Sequence, residues 1–419
     1  MRIRTKELSY QKVQALPRPE HRHPVRPSWF ARTMLRLIAL PAQIATRFSV
    51  DRRDLDVLDS QPCLILMNHS CFLDSHLVMP TLYPRPFCIV TTKDSFVGKG
   101  WVMRTIGCIP THKFVSDLTL ISDIRYALTN LKTHVLMYPE ASYTLDGRST
   151  RLPSHLGVLL KRMRVPVMMI TTWGAFTRAP LYRGRKGHQV PVKAEMRCLL
   201  TAEEVRSKSI EELDDVVAEA FSFDQYAWQR DSGTVVDYPQ RAEGISRLLY
   251  QCPACTHMCC MEAAGAILRC THCSKEYRLE ENGQMRALTG ETEFPHIPHW
   301  VDWEREQVRQ ELLNGTYRME LDVDIGMLVD YKAMYMVGSG RLVQDCNGIV
   351  LDGCDGQLHF EQSALSCYSL NVDYNWFKIG DSISIGDTQT QYCCFPRQKD
   401  VVTRARLAAE EMYTIAKSR

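Results

Sequence analysis

Four short apolar runs, at 63–67, 87–92, 135–138 and 167–172, are separated by stretches whose apolar residues recur every three or four positions, as at 118–131. Runs that are apolar at successive positions predict strands buried on both faces, and the helical stretches between them predict the crossovers of a parallel sheet. From 61 to about 200 the chain therefore reads as an α/β layer, which the charged helical stretch 202–231 is expected to close. After Trp303 the pattern changes to strand-like runs punctuated by Asn347-Gly348, Asp352-Gly353 and Asp355-Gly356, dipeptides that favour hairpin turns. A last helical stretch covers 401–417.

Length and charge refine this picture. With 419 residues the chain exceeds one core of about 250–300 residues. Four regions are expected: 1–54, a basic arm with an amphipathic helix; 55–248, the α/β domain with flanking helices and a mixed or parallel sheet; 249–290, a compact cysteine module; and 291–419, a β-rich domain ending in a helix. Strands closed by one helix suggest a pleckstrin-homology or related lipid-binding fold for the last region. The formal net charge of +3 argues against a protein built to coat nucleic acid. Yet residues 1–50 carry ten Lys or Arg against Glu7 and Glu20, a balance that suits an anionic membrane leaflet as well as a solvated arm. The stretch 29–48 is interrupted by Arg32, Arg36, Pro41 and Arg47, so it is expected to lie in an interface or pack on the protein rather than span a membrane. No cleavable signal peptide is recognised. Sixteen cysteines then point to a reducing cytoplasm, where clustered Cys bind metal more often than they form disulfides.

Where the first predicted strand ends, the chain reads Met67-Asn68-His69-Ser70-Cys71-Phe72-Leu73-Asp74, an NHxxxxD pattern. Ligands of parallel sheets bind at the carboxyl ends of strands. A histidine there can take a proton from an alcohol, and a carboxylate one turn later can hold its tautomer; a structural hydrogen-bonding histidine is the competing reading. Three further blocks follow in order: 93–113, ending at Lys113; Tyr138-Pro139-Glu140-Ala141-Ser142; and Val165-Pro166-Val167. Together they resemble the 1-acylglycerol-3-phosphate (lysophosphatidate) acyltransferase family over roughly 55–180.

The resemblance implies His69 as catalytic base and Asp74 as its orienting acid, with Asn68, Lys113, Glu140 and Ser142 on the acceptor side. Lys113 takes a phosphate-binding position where the family usually has arginine. Ala141, Ser142 and Tyr143 replace the expected Gly-Thr-Arg, so one phosphate-binding arginine is missing, and Arg148 or Arg151 is the candidate substitute. Cys71 reads as filler. The implied reaction is transfer of an acyl group from acyl-CoA or acyl carrier protein to a lysophospholipid hydroxyl in phospholipid synthesis, with no acyl-enzyme. The implied partners are membrane lipids and the acyl donor, at the inner face of the cell membrane. An acyltransferase for another lipid acceptor, or a non-catalytic lipid-binding protein on the same fold, are the alternatives.

Cys252-Pro253-Ala254-Cys255 and Cys270-Thr271-His272-Cys273 form two CxxC knuckles with zinc-ribbon spacing. Four thiolates close a tetrahedral zinc site and leave no position for a catalytic water, so a structural Zn2+ is expected. Cys259, Cys260, His257 and His272 are nearby spare ligands. The module has few Lys or Arg, which argues for a scaffold or protein-docking role over nucleic-acid binding. Trp300 and Trp303 are read as core residues or as a membrane anchor.

Overall fold

The computed structural model describes residues 3–113, 117–154, 156–184 and 189–418. The four apolar runs form the strands Leu64–Met67, Phe87–Thr92, His134–Met137 and Val167–Trp173. They lie in a seven-stranded sheet whose spatial order is Ser49–Arg52, Lys193–Leu200, Val167–Trp173, Leu64–Met67, His134–Met137, Phe87–Thr92 and Cys108–Thr111. Neighbours run parallel except Val167–Trp173 against Lys193–Leu200. Alternation explains why the runs are apolar throughout. Leu64 and Leu66 pack on one face with Ile124, Leu128 and Leu160, while Ile65 and Met67 pack on the other with Val78, Leu82 and Ala39. Both faces are covered by helices, so the central strand Leu64–Met67 is apolar and buried at every position.

Helix Trp29–Ala45 belongs to this second face. Ser28 caps it by accepting from the Ala31 amide. Its inner side buries Ala31 and Ala39, and Arg36 covers the ring of Tyr83. Its outer side leaves Trp29, Phe30, Leu37, Ile38 and Ile44 exposed, Ile44 at 75%. Among the described residues no helix is long and apolar enough to cross a membrane.

The cysteine module folds as a four-stranded antiparallel sheet, Met261–Ala264 to Met285–Ala287. The third sheet contains the seven antiparallel strands between Arg318 and Pro396, in the order first-to-last Leu358–Ser363, Gly348–Gly353, Met334–Asp345, Arg318–Leu328, Gln391–Pro396, Gly380–Gly386, Asn371–Trp376, and the helix Val402–Lys417 follows. An eighth strand comes from the basic arm: Thr5–Glu7 pairs in parallel with Met334–Met336. One continuous core joins the cysteine sheet, through Leu268 and Tyr277, to Trp300, Leu321 and Leu407.

Two hairpin expectations match turns: Asn347-Gly348 closes one hairpin and Asp355-Gly356 the next. Asp352-Gly353 does not turn; it lies within the strand Gly348–Gly353. Glycine suits this close crossing, because a Cβ on Gly353 would come 2.9 Å from the backbone oxygen of Ser339. The helix Ile297–Leu313 is not foreseen by the sequence pattern. It buries Trp300, whose indole donates to the Gln251 carbonyl at 3.0 Å. That places Trp300 in the core, with Trp303 packed partly buried beside it.

Candidate active site

The strand Leu64–Met67 delivers its next two residues to opposite tasks. Asn68 is buried, and its bonds go to Thr172 on the adjacent strand: its amide nitrogen donates to the Thr172 carbonyl at 3.1 Å, and its oxygen accepts from the Thr172 amide at 2.8 Å. It splices the strand ends together and is not among the residues that line the cleft. His69 then turns out of the sheet into the cleft.

His69 Nδ1 stands 3.1 Å from Asp74 Oδ2. That same oxygen accepts from the Ser70 amide at 2.7 Å and the Cys71 amide at 3.0 Å. Asp74 is also the first residue of the helix Asp74–Leu82, where the helix dipole favours a negative charge. The carboxylate is thus fixed by the tight turn that the six-residue motif makes. The imidazole stacks on Tyr138, with ring centres 3.9 Å apart, and meets Tyr143 at 4.3 Å. Burial holds its pKa below the ordinary value despite the pull of Asp74, and nearby Lys113 adds to the lowering. With Nδ1 committed to Asp74, Nε2 is the nitrogen left to act as a base.

Glu140 lies under this pair instead of in the cleft. Its two oxygens accept from the His69 amide at 2.7 Å and the Thr150 amide at 2.8 Å, and the residue is wholly buried. Burial pushes its carboxyl up to about 7. It therefore positions the His69 backbone and is not among the residues that line the cleft. Ala141 beside it holds φ 54, a left-handed conformation for which glycine is the default. Ser142 does line the cleft.

Lys113 lines the cleft as well, but its partner comes from the far domain: Nζ donates to Asn371 Oδ1 at 2.9 Å. Asp373, on the same strand, faces the cleft; burial pushes its carboxyl up to about 7 against the pull of Lys113. Arg148 and Arg151 are placed elsewhere. Arg148 is clamped by Asp146 and Asp302, and Arg151 donates to the Glu410 carbonyl at 2.8 Å while covering Tyr413. Both bond to residues far along the chain, and neither is among the residues that line the cleft. The cations that do line the cleft include Arg178, Arg183, Arg247 and Arg397. Asn371, Asp373 and Arg247 carry no local motif, and only the fold brings them to His69's cleft. That cleft encloses about 2240 Å³ between the α/β sheet, the C-terminal strands and the segment Cys259–Ala264.

The four knuckle cysteines converge: the sulfurs of Cys252 and Cys273, and those of Cys255 and Cys270, are each 3.7 Å apart. A disulfide would need about 2.05 Å. Tetrahedral zinc with bonds of about 2.3 Å has sulfurs about 3.8 Å apart, so this donor set fits a metal ion such as zinc. Each knuckle ends in a residue with positive φ, Thr256 at 61° and Ser274 at 64°, whose amides donate back to Cys252 and Cys270 carbonyls. Cys260 lies 3.5 Å from Cys270, and His257 stacks on His272.

Residues 49–173 match the family model described as Acyltransferase, the family that the sequence blocks resemble. Among solved structures, the 1-acyl-sn-glycerophosphate (LPA) acyltransferase PlsC from Thermotoga maritima is similar at 15% identity with a TM-score of 0.34, over 46% of this chain and 80% of that one. No curated protein matches the chain.

Proposed function

We propose, from the premise that residues 49–173 form an acyltransferase-family domain, that the chain moves a fatty acyl group from acyl-CoA or acyl carrier protein to the hydroxyl of a lysophospholipid, with 1-acylglycerol-3-phosphate the first acceptor. The observation that carries this reading is the His69–Asp74 pair, 3.1 Å apart on a cleft large enough for both substrates. His69 Nε2 takes the proton of the glycerol hydroxyl, and the freed oxygen attacks the thioester carbonyl. The tetrahedral adduct collapses, and the leaving thiolate takes the proton back from the imidazolium. Asp74 holds the tautomer and faces the imidazolium that forms. Cys71 is no rival nucleophile: it is buried, its thiol faces the Ala175 carbonyl, and burial pushes its pKa well above the ordinary thiol value.

Because burial lowers the His69 pKa, the base form is already present at neutral pH. The acidic limb of kcat/KM is therefore expected below pH 6.5. A rate profile whose limb sits at or above that pH would argue against His69 as the base.

Lys113 supplies the cleft cation for an acceptor phosphate. The test is transfer of labelled acyl groups from both donors to a panel of lysophospholipids and neutral monoacylglycerol. Lys113→Ala is expected to raise KM for phosphate-bearing acceptors about 10- to 100-fold, the worth of one hydrogen bond to a charged group, and to leave KM for the neutral acceptor unchanged. Transfer to no acceptor would favour the non-catalytic reading. Asp373 beside Lys113 favours one second reading, an acceptor that carries an amine as well as an anion; it predicts preference for aminolipids in the same panel.

The remaining parts support a peripheral enzyme of the inner membrane face. Trp29, Phe30, Leu37, Ile38 and Ile44 make an exposed apolar ridge, and Phe72, also exposed, stands at the cleft. The four thiolates would hold a structural zinc, which supplies folding energy and no open coordination position. The C-terminal strands and closing helix support a pleckstrin-homology-like reading of that domain.

A further inference from the structure

Outside the cleft and the cysteine sheet, one cluster of metal-ligating side chains stands out. Asp123 sits midway along the helix Leu118–Thr129, between Leu120 and Ile124, Ala127 and Leu128, which pack on the sheet. Its side chain is 3% exposed. A carboxylate held that deep needs compensating partners. Among the described residues its ion-pair partners are two histidines of the arm, His21 and His23.

The arm has no regular secondary structure here, and its two histidines meet the same carboxylate. His21 and His23 therefore both reach the helix, while the carbonyl of Arg22 between them accepts from Arg104. His21 Nε2 is 3.0 and 3.2 Å from the two Asp123 oxygens, and His23 Nδ1 is 3.3 Å from Oδ1. Tyr126, one turn along the helix, stacks on His23 with ring centres 4.4 Å apart and planes within 13°, which fixes that imidazole's direction. All three donor atoms fall within 4.8 Å of one another.

The nitrogen–oxygen separations of 3.0–3.3 Å can be compared with a metal's gauge, as the thiolates were. A first-row cation with bonds of about 2.0–2.1 Å to nitrogen and oxygen has its ligand atoms about 3.3–3.4 Å apart in a tetrahedron. We propose that His21 Nε2, His23 Nδ1 and the Asp123 carboxylate form a second metal site, for a divalent cation of the zinc class. Two imidazoles and one carboxylate select such ions over magnesium or calcium, which take oxygen ligands. The histidines are 44% and 53% exposed, which leaves the remaining coordination position to water. None of the three residues lines the cleft. The ion's role is thus a cross-link, fastening the arm between the strand Thr5–Glu7 and the helix Trp29–Ala45 to the α/β domain.

The full-length protein, stripped of loosely held metal and loaded with zinc, should contain two zinc ions per chain by elemental analysis. His21→Ala/His23→Ala should contain one, and Cys252→Ser/Cys255→Ser should lose the other. Cobalt loading separates the sites further: the thiolate site gives intense sulfur-to-metal charge-transfer bands that survive in the double-histidine variant. One zinc in both wild type and histidine variant overturns the proposal, as does a second zinc that persists without His21 and His23. If the double variant is not folded by circular dichroism, Asp123→Asn is read in its place by the same count.

Discussion

His69→Ala is expected to lower kcat by about 10²- to 10⁴-fold, the usual contribution of a positioned general base. The loss should appear without collapse of the fold. Removing the ring leaves Asp74 Oδ2 still accepting from the Ser70 and Cys71 amides, so its charge is not stranded. Glu140 still holds the position-69 amide, a backbone bond that alanine retains. The packing cost falls on Tyr138 and Tyr143, which lose one stacked neighbour each. Single-turnover acyl transfer, with the melting temperature measured in parallel, checks both halves of the expectation. Turnover within threefold of wild type in a folded variant would remove His69 from the chemistry.

The second large effect concerns the four thiolates. Chelation of the metal, or Cys252→Ser/Cys255→Ser, is expected to lower the melting temperature of the C-terminal half by roughly 10–20 °C. Structural zinc contributes about 10–16 kcal/mol in isolated zinc-finger peptides. Even about 5 kcal/mol of that would shift a domain of this size by the amount stated, at about 2–4 °C per kcal/mol. The small sheet has four strands of three or four residues and depends on its knuckles for shape. Its Tyr277 meets Trp300 edge-on at 5.0 Å, so loosening it opens the core that carries the third sheet. A red shift of tryptophan emission and newly reactive thiols should accompany the loss. Unchanged melting and unreactive thiols after complete chelation would contradict a structural role. The segment Cys259–Ala264 walls the cleft, so activity should fall along with stability.

What the sequence makes legible here is what is local. His69 and Asp74 are five residues apart and bond through one turn, and each CxxC knuckle closes on itself, so spacing alone carries the geometry. The four buried strands are legible because both of their faces are covered, which leaves no polar position to blur the pattern. The placement of Arg148 and Arg151 is hidden for the opposite reason. Their charge suits a phosphate, but Asp302 and the Glu410 carbonyl, both far along the chain, claim them. Asn371 and Asp373 are missed because nothing in a strand of a remote domain signals that it will face Lys113. The helix Ile297–Leu313 hides behind a buried Glu304, which accepts from the Gln251 amide and interrupts the apolar stripe formed by Trp300, Val301 and Val308.

The pairing of Thr5–Glu7 with Met334–Met336 also has a consequence for biosynthesis. The strand Thr5–Glu7 finds its partner only after the chain has been translated to Met336. At about 5–20 residues per second, the intervening ~300 residues take roughly 15–60 s. Among the described residues the α/β sheet contains no strand from beyond Leu200, so it can form well before then. Through that interval Thr5–Glu7 has no strand to pair with, so closing the arm onto Met334–Met336 is a step that synthesis itself delays.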